Sequence, residues 1–317
     1  MAIKLNIPDN LLDQITESAR AFLLHALPYD RADNSIVCYL HGLDATELLI
    51  RWFNWSWRTI SARPRDVYLS GEFIGNSLRE RYKQPLEYLL SAIKSGADLR
   101  KYQSRRIDQA VVVPGSVPLK RRQDIDLMLN FFGIYHLHMS DQVEDDGFVV
   151  RSDDVLFVLF KRDHAFVIDI MPHRGSWASA HSIKVIVNNW PMANLVYKVE
   201  GAVGLSRTLN DSDRLRLLQM GANFMVELDG SCYFPGPGIS ASGVSIDAVR
   251  SADHVMMELE RFALAAQSDS NFVSSIFVDN NIPIPINLTF KFYIDASGFG
   301  LIEPNSQTFF RLFRGSD

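Results

Sequence analysis

Apolar residues recur every three to four positions from Leu11 through Ile15, Ala19 and Phe22 to Leu23, with Asp13, Glu17 and Arg20 on the remaining positions. That period predicts an amphipathic helix over 9–27, opened by Asp9 or Asn10. The run Ser35–Leu40 reads as a short buried strand. Asp44-Ala45-Thr46-Glu47 has the form of a capping box, with Asp in the Ser/Thr role, and opens a second helix carrying Leu48, Leu49, Trp52, Phe53 and Trp55. Trp52, Trp55 and Trp57 at this spacing are read as core rather than as a stacking platform. A further helix, Leu86–Ile93, stops at Ser95-Gly96. Residues 1–97 are therefore expected to be mainly helical.

The period changes further along. Asp124–Phe132 predicts a short helix with Ile125, Met128, Leu129 and Phe132 on one side, stopped by Gly133. Ile134–Met139 then alternates: Tyr135, Leu137 and Met139 share one face of a strand, and His136 and His138 share the other. Val155–Phe160 is continuously apolar, as suits a central strand covered on both faces. Lys161-Arg162-Asp163 turns the chain, and Ala165–Met171 returns, with Phe166, Ile168 and Ile170 facing one way and Val167, Asp169 and Met171 the other. His173 falls on the Asp169 side if the chain stays extended past Pro172. Trp177–Asn189 reads as a helix ending at Trp190-Pro191. The order helix, strand, strand, strand, helix implies an antiparallel meander flanked by helices.

The C-terminal part predicts a hairpin, Asn223–Leu228 and Ser231–Phe234, turning at Asp229-Gly230. A long amphipathic helix covers about Ser245–Gln267, and a strand pair covers Ile286–Asp295 and Phe299–Glu303, joined through Ala296-Ser297-Gly298. The fold class is α+β: a helical N-terminal part over 1–97, a central antiparallel sheet with flanking helices over 123–191, and a mixed α/β part over 192–317. Between the first two lies a stretch, 98–122, expected to be a basic exposed connection. It holds seven basic residues against two acidic ones, and Pro114-Gly115 and Pro118 break regular structure there. Gln123–Gly147 reverses the sign, with six carboxylates and no Lys or Arg.

Composition narrows the field. The chain of 317 residues is 47% hydrophobic and 22% charged, enough to bury a normal core. A net charge of -5 argues against a general nucleic-acid coat but leaves room for a local basic site. Two cysteines, Cys38 and Cys232, both in apolar contexts, exclude a disulfide framework and a Cys-rich zinc site. Met1–Asn6 lacks the apolar core of a secretory signal, and no window approaches the ~18 apolar residues of a membrane span. The expected compartment is the cytoplasm, with no membrane partner.

Five of the eight histidines lie between His136 and His181. A sheet face bearing His136 and His138 near Asp169 and His173, with Arg151 before the middle strand and Arg174 after the third, is chemically capable. Histidine exchanges protons near neutrality and arginine offers phosphate a planar fork. His136, His138, Arg151, His173 and Arg174 are thus the candidate catalytic residues, with no cofactor. Arg105, Arg106, Arg121 and Arg122 are candidate nucleic-acid contacts. An alternative set, His136, His138, Asp169 and His173, offers three or four metal ligands and would make a metal-dependent hydrolase. Gly236–Gly243 leads into a helix, but Pro237 removes a donor and no Gly-Lys-Ser/Thr follows, so it reads as a turn-rich connection.

The element order and residue mix of 124–190 resemble the core of the RelE/ParE-type toxins. The likeness rests on Gly133-Ile-Tyr-His-Leu-His138, on Arg151 with Val155–Phe160 after it, and on Phe166–Ile170 with His173-Arg174. Ribonuclease members of that family are small sheets with flanking helices that cleave messenger RNA without a metal. The resemblance implies a metal-independent RNA-cleaving or RNA-binding protein of bacterial toxin or defence type, with RNA as partner. The alternative is a non-catalytic subunit of a multiprotein defence complex, its partner encoded nearby.

Overall fold

The first helix, α1 (Leu11–Ala26), buries Leu11, Ile15, Ala19 and Leu23, the four-residue stripe its sequence carries. The structure, a computed structural model, describes residues 7–285, 287–295 and 298–314. A second helix, α2 (Asn34–His41), stands where a buried strand was expected. Asp33 decides the matter: its carboxylate accepts the backbone N–H groups of Ser35 at 2.8 Å and Ile36 at 3.3 Å, an N-cap the apolar run alone does not reveal. Only Leu40 of α2 is buried, and Cys38 is exposed rather than buried. The capping box forms as expected: Asp44 accepts from the Glu47 N–H at 2.8 Å and Glu47 accepts from the Asp44 N–H at 3.1 Å, opening α3 (Ala45–Ser56).

The chain divides into two compact units, Met1–Phe53 with Ala248–Asp317, and Asn54–Asp247. They cut the chain differently from the segments drawn on composition. The second unit adds a strand to the expected helical region, β1 (Asp66–Leu69), too short to show a period. Three helices follow it, α4 (Gly71–Gly75), α5 (Leu78–Arg81) and α6 (Lys83–Ser95). Gly96 closes α6 at φ 77, a left-handed cap that favours glycine.

After α7 (Leu127–Phe132) come the strands β2 (Ile134–His138), β3 (Asp154–Phe160) and β4 (His164–Pro172), then α8 (Ala180–Asn189). The three strands form the expected antiparallel meander, and β1 joins in parallel to give the order β1-β4-β3-β2. Strand β3 is buried on both faces. Ile134, Val155, Phe157, Leu159 and Phe166 pack on the side of α7 and α8, whereas Leu137, Leu156, Val158 and Val167 pack with Phe73, Leu86, Leu89 and Ile93.

The facing of β4 differs from the simple alternation. Phe157 pairs with Asp169 but Val158 pairs with Val167, so Ile168 is the extra residue of a bulge. The period resets there. Ile168 and Met171 pack with Phe166, and Ile170 crosses to the Val167 face.

The unit continues with β5 (Tyr197–Lys198), α9 (Asp211–Gln219), β6 (Val226–Leu228) and β7 (Ser231–Phe234), sheet order β5-β7-β6. Asp229 at φ 47 and Gly230 at φ 72 make the β6–β7 turn, the double positive φ that an Asp-Gly hairpin takes. The other unit takes in the long helix α10 (Ile246–Ser268) from Ala248 on, then α11 (Ser270–Asp279) and an antiparallel sheet of β8 (Lys291–Asp295), β9 (Gly298–Glu303) and β10 (Thr308–Arg314). Of the strand pair read from sequence, Ile286, Ala296 and Ser297 lie outside the described residues. The whole is an α+β fold, and no helix among the described residues is long and apolar enough to cross a membrane.

Candidate functional site

Strand β2 places its histidines as the alternation requires. His136 stands in the row of Phe157 and His138 in the row of Val155, both on the α8 side of the sheet, with ring centroids 6.2 Å apart. His173, just past β4, closes the group: its ring is 5.7 Å from His136 and stacks on His138 at 5.1 Å. Trp177 contacts His136 and His173 edge to face, at 4.5 and 5.0 Å.

His136 and His173 line a cavity of about 230 Å³. The basic stretch 98–122 folds over this cavity and supplies another part of its wall, including Arg106, Ile107 and Lys120. Its cations Arg100, Lys101, Arg106, Lys120 and Arg121 are exposed as expected, but the backbone is no loose connection. Leu99, Tyr102, Gln103, Ile107, Ala110 and Val111 are buried. Arg58 holds the segment in place, donating to the carbonyls of Arg106 at 2.9 Å and Gln109 at 2.6 Å, and Trp55 Nε1 donates to the Ile107 carbonyl at 2.9 Å. Burial pushes the Arg58 guanidinium down to about 10, still charged at neutral pH.

The four arginines expected to meet nucleic acid divide. Arg106 lines the cavity; Arg121 is exposed away from it. Arg105 pairs with Glu144 and Asp146 of the acidic loop and is absent from the cavity wall. Arg122 lines it, but its Nε donates to Asp124 at 2.9 Å, an ion pair largely hidden from solvent. Of the candidate catalytic residues, His136, Arg151 and His173 line the cavity, whereas His138 and Arg174 do not. His138 is 2% exposed and its Nε2 is buried without a hydrogen-bond partner.

Asp169 does not join the histidines in one donor set. Its carboxylate is bonded to His181 Nε2 at 2.8 Å, Asn76 Nδ2 at 2.7 Å and its neighbour's N–H at 2.8 Å. The fourfold metal set is therefore not assembled, and among the described residues no group of three or more His, Cys, Asp or Glu is placed to hold a metal ion.

The electrostatics follow from this packing. Burial, then His136 and Arg151, holds the His138 imidazole down at about 3. Burial, His136 and Arg151 likewise hold His173 down at about 4. His136 is lowered chiefly by burial, against the pull of Asp126, whose Oδ2 lies 3.9 Å from Nδ1. All three imidazoles are neutral at pH 7. Among a wall of cations they are able to accept protons, and an anion in the cavity offsets the penalty that keeps them neutral.

Sequence reasoning missed Trp177, Arg58, Lys120 and Asp126. Trp177 lies only four residues past His173, but it was read as the start of a helix that begins at Ala180. Comparison of the chain with protein-family models, curated proteins and solved structures found no match.

Proposed function

We propose that the unit Asn54–Asp247 binds RNA and cleaves its phosphodiester backbone with side chains alone. The observation that carries this reading is a shared cavity wall: Arg106, Lys120 and Arg151 stand around the two imidazoles of His136 and His173. Cleavage by the 2′-hydroxyl needs a base, an acid for the departing 5′-oxygen and cations for the pentacovalent phosphorane. His173, neutral and half-exposed, is the base. His136, neutral in the empty cavity, faces the Asp126 carboxylate and takes up its proton once the phosphate anion enters, so it is the acid. Arg106, Lys120 and Arg151 hold the phosphate, and Arg supports it bidentately. His138 positions His173 by stacking beneath it.

Purified protein is expected to cleave RNA in EDTA and leave 2′,3′-cyclic phosphate ends. His136→Ala and His173→Ala should each slow the reaction by about 10²–10⁴-fold, with the far-ultraviolet dichroism unchanged. RNA left intact by the purified protein overturns the proposal, as does cleavage that survives both substitutions.

A further inference from the structure

The charge balance of the cavity specifies its ligand more closely than phosphate in general. Two of its wall cations are engaged within the protein, Arg58 on backbone carbonyls and Arg122 on Asp124. Arg106, Lys120 and Arg151 form no ion pair among the described residues, and Asp126 is the carboxylate on the wall. Arg58, bonded to neutral carbonyls, keeps its charge, so four cations against one carboxylate leave three positive charges unmatched while the imidazoles are neutral. A phosphodiester carries one negative charge; a phosphomonoester carries about 1.5 to 2 near pH 7. The monoester is the better match.

Shape points the same way. Met128 and Leu218, both buried, help line this space of about 230 Å³. Pockets for drug-sized ligands run from about 300 Å³ upward, so this one suits a single nucleotide unit.

Hydrogen bonding adds a condition. Arg151 can only donate, so its 3.5 Å contact from Nη2 to His173 Nε2 makes that nitrogen the acceptor and leaves the ring proton on Nδ1. A lone pair facing Arg151 repels a phosphate oxygen placed there. A proton on Nε2 turns the same atom into a donor.

We propose that this cavity is a receptor for a terminal phosphate, the phosphomonoester at an RNA strand end or on a mononucleotide, and that His173 takes up a proton as the ligand binds. The groups that bear on His173 are known from each neighbouring element: His136 and His138 on β2, Arg106 from the basic segment, Arg151 before β3 and Arg174 beside it. Asp126, at the start of α7, faces His136. From α9 the wall receives Leu215, Leu218 and Gln219, none charged. The inference rests on reading the cavity as a phosphate site and not on RNA cleavage.

The test is calorimetric titration of the full-length chain at pH 7.5, in two buffers of different ionisation enthalpy. The probes are an all-deoxy oligonucleotide with a 3′-phosphate, the same strand with a 3′-hydroxyl, and a 2′-deoxynucleoside 3′-monophosphate; none is open to 2′-hydroxyl attack. The phosphorylated strand should bind at least about tenfold more tightly than its hydroxyl-ended twin, a difference of about 1.4 kcal/mol. Binding should take up a fraction of a proton, absent in a folded His173→Gln variant that still binds the monoester. A mononucleotide bound as tightly as the strand identifies free nucleotide as the ligand; a tighter strand identifies the chain end. Equal affinity for the two strands, or binding with no difference between wild type and His173→Gln in proton uptake, overturns the proposal. RNA left intact by a protein that binds monoesters in this way removes only the cleavage reading. RNA cleaved by a protein with no monoester preference removes only this one.

Discussion

His181 Nε2 lies 2.8 Å from the Asp169 carboxylate, and that bond takes Asp169 out of the histidine cluster next to it. The pair has its own pH signature. The hydrogen bond to Asp169 raises His181 above its ordinary 6.5. Burial works to raise Asp169, but the bonds from His181 and Asn76 outweigh it and hold the carboxyl below its ordinary 3.8.

A raised histidine stabilises the fold below its unfolded value and loses that contribution as pH rises through the folded one. A lowered carboxyl stabilises above its unfolded value and loses that as pH falls. The pair therefore contributes most between about pH 4 and pH 6.5. His181→Gln should cost about 1 kcal/mol at pH 5.5, a value reduced for the partial exposure of His181, and less at pH 8.5. Urea denaturation at the two pH values checks this; equal losses at both would exclude the charged pair.

The cluster itself should destabilise the protein in acid. His138 and His173 are held at about 3 and about 4 in the fold, whereas in the unfolded chain they protonate near 6.5. The unfolded state then binds more protons as pH falls below that point, so stability declines from there toward the folded values. Between pH 6.5 and pH 4.5 the buried His138 alone should account for a loss of roughly 2 kcal/mol. His138→Asn is expected to flatten the pH dependence of the urea midpoint. An NMR titration in which the His138 ring protonates near pH 6.5 in the native state would contradict the assignment.

Arg122 and Arg121 are adjacent and basic, yet should behave oppositely. Asp124 is 4% exposed; its Oδ2 accepts the Val112 N–H at 3.1 Å, and Arg122 neutralises it. Arg122→Ala leaves that carboxylate buried and uncompensated, at a cost of about 3 kcal/mol. Arg121→Ala, at an exposed position, should change stability by no more than about 0.5 kcal/mol. Chemical denaturation of both variants reads the contrast directly.

Gly236 lies against the backbone of α7. A Cβ there would sit 2.7 Å from the Phe132 carbonyl carbon and 2.7 Å from its Cα, atoms that cannot rotate away. Gly236→Ala should therefore destabilise by about 2 kcal/mol. Gly75→Ala is the control, since nothing lies within 4 Å of its Cβ position, and it should leave the thermal midpoint unchanged or raise it.

Much of the fold was legible from residue order because it follows from local rules. The Asp44–Glu47 capping box, the Gly133 stop, the alternation that puts His136 and His138 on one side, and the Asp229-Gly230 turn each depend on a few neighbouring residues. Where neighbours did not decide, the reading failed. The apolar run in α2 fits helix or strand equally until Asp33 caps it, and β1 is a strand only because β4 lies beside it. One extra residue at Ile168 reset the facing of β4, since a side-chain period of two has no tolerance for an insertion. The site shows the same division. Its histidines were visible as a local cluster, but the cavity wall required Arg58 to carry the basic segment across to them through bonds spanning 48 residues and more. Such contacts depend on loop closure and on which carbonyls a buried guanidinium can reach in three dimensions, and no periodicity along the chain encodes them.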